Sequence, residues 1–430
     1  MPSPATAVLG RIALFFAVAV GLYAALLGVL LHPTLQRFAL YVNKLNTLPF
    51  GDDLNNGESF GYSKHQVTPF ELPTPDGETL YAWHILPLDV YARHEQSLRE
   101  EQRPHLPMSM DEFRRSSAFQ FLTSDEPVPA QVIVAFHGNA GHIAQGWRTD
   151  TYRQLALRPN THVLTIDYRG FGHSTGSPTE AGLITDGTAL IDWVMHAAGI
   201  PPERIVVLGQ SLGTAVSSAV TLHFADPSSE LIPSTSRELR PLLAKEGSIQ
   251  PTAFAGVVLV APFSSLPSLL LTYRIGGFLP ILLPLRPFPY IAGMLTSRMV
   301  DTWRSADRLA AYYQALANSP LTKSDRTGRV MGSLQLVHSI RDMDIPYHQT
   351  EMICRRVFGG GFEPGVYEKE EDSGLVDCVD GSRGAAVLDV KAANRPRVRF
   401  EIIEYGGHNR IITYSQVAAA ISRVFDNLFD

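Results

Sequence analysis

Cysteine is nearly missing from this chain: 430 residues carry two, Cys354 and Cys378. That is too few for a disulfide-built scaffold, and their spacing matches no metal-ligand pattern. One bridge between them is left open. Positive charge is also short, with a net charge of -6 and no basic stripe. Phosphate-backbone binding therefore has nothing to rest on, and no nucleic-acid partner is expected. There is no Asn-x-Ser/Thr sequon. Wholesale disorder is excluded too, because 45% of residues are hydrophobic and 18% charged.

What the chain does have is one long apolar run. Residues 12–31, IALFFAVAVGLYAALLGVLL, contain no charge over 20 positions. As a helix this run is about 30 Å long, the thickness of a bilayer's hydrocarbon core. A signal peptide would carry a shorter apolar region and a small-residue cleavage site, whereas HPTLQRF follows here. The expectation is an N-terminal tail over 1–11, a single transmembrane anchor over 12–31 and a linker over 32–62. A cleaved signal or a buried core helix are the competing readings. Orientation is open, since Arg11 lies on one side and Arg37 and Lys44 on the other.

Beyond the linker, HQVTPFELPTPDGETLYAWHILP reads as two strands around an Asp76-Gly77 turn. From residue 130 short β-branched runs alternate with longer segments of helical pattern: QVIVAFHG, HVLTIDYRG, RIVVLGQ, FAGVVLVAP, SLQLVHSI and RFEIIEYGG. Continuous apolar strands of this kind predict a mostly parallel sheet covered by helices on both faces, an α/β fold of about eight strands. The stretch 179–199 fits a helix, with Leu183, Leu190, Trp193 and Val194 near helical spacing. The predicted domain covers 63–430. It is interrupted by a polar insertion at 88–128, a second at 224–252, an apolar Pro-rich cap at 262–331 and a Gly-rich, disordered excursion at 359–396.

One serine stands between two glycines where a strand gives way to a helix. Gly209-Gln210-Ser211-Leu212-Gly213 has the spacing and context of a nucleophile elbow. A side chain at Gly209 or Gly213 would collide with the neighbouring strand or helix, and Ala215 and Ser217 also fit close packing. The bland alternative is that Ser211 only caps a helix.

An activated serine needs a base, an acid and oxyanion donors. His408 sits beyond the last predicted strand on a two-glycine turn. Asp342 and Asp344 both follow the strand before it, and either could orient the imidazole. Backbone N–H groups of Leu212 and Asn139 are placed to stabilise an oxyanion, with His137 and Gly138 shaping the Asn139 loop. A metal shared by His137 and His142 has no completing ligands and is not expected. The order Ser, Asp, His is that of α/β-hydrolases.

The segments FHGNAGH, IDYRGFGHSTGSPTE, LGQSLGTA, HSIRDMDIP and GGHN resemble the membrane-anchored α/β-hydrolase-domain lipases of the monoacylglycerol and lysophosphatidylserine lipase type. That resemblance implies the α/β-hydrolase fold, with Ser211, Asp342 and His408 as triad; Asp342 lies four residues before Pro346, as in the family pattern. It implies a lipid-ester substrate, no cofactor and no metal. The implied address is an endomembrane, most simply the endoplasmic reticulum, with the catalytic domain in the lumen. Asp167 and Arg169 are expected to be structural supports. Relatives sharing DYRGFG that remove acyl groups from proteins, peptidases on the same scaffold, and a non-enzymatic binding protein are the alternatives.

Overall fold

A computed structural model describes residues 4–44, 53–103, 105–125, 128–239, 250–275, 279–280, 282–317, 319–322, 330–359, 378, 384–391 and 395–426. Nine strands form one sheet: β1 (Val67–Pro73), β2 (Thr79–Ile85), β3 (Gln131–Phe136), β4 (Thr161–Ile166), β5 (Ile205–Gln210), β6 (Gly256–Val260), β9 (Ser333–Ser339), β10 (Ala386–Val390) and β11 (Val398–Ile403). Two short strands outside it, β7 (Arg274–Ile275) and β8 (Leu279–Pro280), pair antiparallel. The order across the sheet is β1-β2-β4-β3-β5-β6-β9-β11-β10. The six strands from β4 to β11 run parallel, and β1, β2 and β10 add antiparallel edges.

The central strands are apolar throughout because both faces are covered. Val132 and Val134 of β3 join one core while Ile133 and Ala135 join the other. Val257 and Leu259 of β6 divide from Val258 and Val260 in the same way, following the two-residue period of a strand. The helices Glu180–His196 and Leu212–Ala225 cover the first face and Ser415–Asp426 the second.

Four boundaries differ from the sequence expectation. The N-terminal helix runs Pro4–Val29, so much of the expected tail is already helical. Its segment Val8–Val29 is long and apolar enough to cross a membrane, and its most apolar stretch has no fully buried residue. The expected linker contains a further helix, Pro33–Tyr41, opened by a proline at its first position, where no N–H is needed. A ninth strand, β10, lies inside the 359–396 tract expected to be disordered, paired along its length with β11; most other residues of that tract lie outside the described residues.

The fourth difference concerns the cap. Helix Ser305–Leu316 falls within 262–331, yet its Leu309, Tyr312 and Leu316 are fully buried in the main core. Leu266 and Leu269 of helix Leu266–Leu270 join the main core as well, whereas Ala292 of helix Pro289–Thr296 packs with Leu282 and Leu285 in a separate small cluster. Insertion 88–128 is helical, over Leu88–Glu100, Met110–Arg115 and Ser117–Thr123. Insertion 224–252 holds one short helix, Ser234–Glu238, and its residues 240–249 lie outside the described ones. Cys354 and Cys378 are joined in a disulfide.

Candidate active site

Ser211 stands at the end of β5 with φ 52° and ψ -119°, a conformation rare for a residue with a side chain. Its backbone N–H donates to Val260 O at 3.0 Å, which pins the turn to the neighbouring strand. The flanking glycines are steric necessities. A Cβ at Gly213 would lie 2.0 Å from Phe136 O, and one at Gly209 would lie 2.4 Å from Gly213 O. Ser211 makes no capping bond through its side chain to the helix it precedes. Its hydroxyl is turned the other way, 2.9 Å from His408 Nε2.

His408 Nδ1 lies 2.7 Å from Asp342 Oδ2. Of the two carboxylates that the sequence leaves open, Asp342 is therefore the one on the imidazole. Its other oxygen accepts from the backbone N–H groups of Asp344 at 3.0 Å and Ile345 at 2.8 Å. Burial by itself would raise the Asp342 pKa, but the charge of His408 and hydrogen bonds from His338 and His408 hold it well below the usual value. Burial opposes charging of His408 as well. The facing Asp342 carboxylate outweighs it and raises the imidazole above its ordinary value of 6.5.

Residues 137–142 form the loop after β3. Gly138 is close enough to the serine that a Cβ there would sit 3.3 Å from Ser211 Cβ. His137 is buried, with Nδ1 2.7 Å from Gly138 O and its own carbonyl accepting from Tyr168 OH at 2.9 Å. The side chain of Asn139 donates to Leu40 O in the helix Pro33–Tyr41. Leu212 opens the helix directly behind the serine.

Three partners of this site carry no sequence signal of their own. Arg148 donates to four carbonyls of the loop: Gly138 at 2.8 Å, Asn139 at 2.7 Å, Ala140 at 3.0 Å and His142 at 2.5 Å. With those oxygens drawn toward the guanidinium, the loop is held in one conformation. His338 lies behind the acid, 3.4 Å from Asp342 Oδ2, with its own nitrogens near Thr350 Oγ1 and Ile345 O. Gln210 Nε2 donates to His408 O and Asn409 O, tying the elbow to the histidine turn.

Asp167 and Arg169 lie beside this centre. Arg169 bonds Asp76 and the buried Asp186, joining the β1–β2 turn to helix Glu180–His196. Asp167 accepts from Ile143 N at 2.6 Å, and burial pushes its pKa up to about 7. Asp342, Asp344 and His408 bring possible ligand atoms within 4.8 Å of one another. Both His408 nitrogens already face Asp342 and Ser211, so the cluster offers a metal no free imidazole. His137 and His142 turn their Nδ1 atoms to local backbone groups.

A serine hydroxyl, an imidazole and a carboxylate in series on this sheet can carry out acyl transfer. Comparisons with known proteins agree with the architecture. An alpha-beta hydrolase from Vibrio vulnificus superposes with a TM-score of 0.52 over 91% of this chain and 93% of its own, at 12% identity, which speaks for the fold alone. Protein YfhR of Salmonella typhi is 44% identical over 81 residues, 19% of this chain and 27% of its own length. The lysophosphatidylserine lipase ABHD12 of Danio rerio is 29% identical over 207 residues, 48% of this chain. The match spans 47% of that lipase, so the chain covers less than half the length of either curated relative. The alpha/beta hydrolase family matches across residues 132–420, from β3 into the last helix, and takes in the elbow, the acid and the histidine. The chain belongs to the alpha/beta hydrolase family.

Proposed function

We propose that the protein is a membrane-anchored serine hydrolase that cleaves carboxylic esters of lipids, monoacylglycerols or lysophospholipids. The observation that carries this reading is the unbroken contact from Ser211 Oγ to His408 Nε2 and from His408 Nδ1 to Asp342. His408 takes the Ser211 proton as the hydroxyl oxygen attacks the ester carbonyl carbon. The backbone N–H groups of Leu212 and Asn139 receive the oxyanion. Collapse expels the alcohol with the proton from His408, and water then releases the acyl group from Ser211 by the same route in reverse. Asp342 holds the imidazole in place and balances its charge. The chemistry calls for no metal or organic cofactor.

Four observations support a lipid substrate and a membrane setting. The helix Val8–Val29 is long and apolar enough to span a bilayer. The cap beside it is apolar, and a relative bears the name lysophosphatidylserine lipase. The Cys354–Cys378 bridge favours an oxidising compartment for the domain that follows the helix. On this reading the enzyme is single-pass, with its catalytic domain in the lumen of the endoplasmic reticulum or another endomembrane.

Fluorophosphonate labelling of the protein in membranes tests the proposal. Wild type should label, Ser211→Ala should not, and preincubation with monoacylglycerol or lysophospholipid should slow labelling. Folded wild type that stays unlabelled would overturn it, and competition by acyl-thioester peptides instead of lipids would move the activity to protein deacylation.

A further inference from the structure

The N-terminal helix is not free of the domain it precedes. Tyr23 and Leu27 pack against a small apolar cluster of the cap: Leu282, Leu285 and Ala292. Tyr23 lies six residues before Val29, so this contact reaches about 9 Å inside the end of the apolar span. A cap that touches the helix at that depth lies within the bilayer wherever the helix crosses one. Its outer face agrees, with Phe288 55% and Tyr290 86% exposed.

Between the helix and the cap is a partly open apolar cavity of about 110 Å³. Leu27, Leu30 and Leu31 form one wall, Leu282 and Leu295 of the cap another. Leu40 lines it as well. The Leu40 carbonyl accepts the side-chain hydrogen bond of Asn139, whose backbone N–H is the proposed oxyanion donor. The cavity is therefore bordered both by the N-terminal helix and by Leu40, the residue that touches the proposed oxyanion loop.

Its charged groups are spoken for. Arg37 and Tyr41 both bond Asp301, which is only 4% exposed, and Gln36 is held by Arg298 O and Val300 N. What remains is an apolar lining suited to a hydrocarbon chain.

We propose that this cavity receives the acyl chain of the substrate, with the last turns of the N-terminal helix forming part of the binding site. The helix is then a specificity element as well as an anchor. This rests on the hydrolase reading above. An ester leaves the bilayer sideways, its chain still among leucines, and its carbonyl meets Ser211 without the chain crossing water.

The test uses the full chain in nanodiscs and the ratio of Ser211 labelling rates for long-chain and short-chain alkyl fluorophosphonates. Leu27→Trp fills the cavity from the helix side and should lower that ratio about ten-fold. Leu26→Trp places the same bulk on an exposed neighbour of the same helix and should leave the ratio as in wild type. Equal ratios for the two variants would overturn the proposal. A second arm needs no turnover: an ether lysophospholipid with a chain-terminal diazirine, applied to Ser211→Ala. Crosslinks at Leu40 and at Met299, which also lines the cavity, that unlabelled monoacylglycerol displaces are expected, and their absence would overturn the site. Wild type labelled by neither phosphonate would sink the hydrolase reading, while displaceable crosslinks would still report the cavity.

Discussion

His408 is the residue whose environment sets the pH response. In its proposed role as general base it must be neutral to accept the serine proton, and its pKa is raised by Asp342. Activity is therefore expected to fall as pH drops through a value above 6.5, and a kcat/KM profile against pH will show where that limb lies. Asp342→Asn should move the limb down and lower kcat by about ten-thousand-fold. Gly213 governs the same serine sterically. Gly213→Ala brings a Cβ against Phe136 O, and a loss of about 3 kcal/mol in urea unfolding is expected. Both residues were legible in the sequence because glycine spacing records a steric demand and a histidine after the last strand records topology. His338 was not: one histidine in an apolar strand reads the same whether it packs or supports an acid.

At the level of single elements, the loop after β3 shows what pattern reading misses. The segment FHGNAGH announces the turn, yet its conformation is fixed by Arg148 from the start of the next helix, eleven residues after His137. Arg148→Lys supplies one compact ammonium where a planar fork meets four carbonyls. A drop in kcat of about a hundred-fold with little change in KM is expected, because the loop would lose its proposed oxyanion geometry and keep its apolar contacts. Equal loss in both parameters with a lowered melting temperature would assign Arg148 to folding alone. The core strands were legible for a different reason: burial on both faces makes them continuously apolar. β10 was not, since its residues are half-buried at a sheet edge and the segment before it is rich in glycine and acid. Its partner β11 determines it, and a pairing made across the chain leaves little local trace.

For the whole molecule, sequence divides what structure joins. Residues 12–31 read as an anchor and 262–331 as a cap, and nothing in either announces that they meet. Contacts between segments some 250 residues apart are set by the packed fold, here through Arg37, Tyr41 and Asp301 and through Tyr23, Leu27 and Leu282. Removing residues 1–31 is the usual way to turn an anchored enzyme into a water-soluble reagent. In this protein the cut strips a wall from the cap and uncovers Leu282, Leu285 and Ala292. The shortened protein is expected to self-associate in sedimentation runs without detergent and to become monodisperse when detergent is added. On the proposed chain site, turnover figures from such material would describe an enzyme whose preference for chain length had been cut away with the tag-friendly N-terminus.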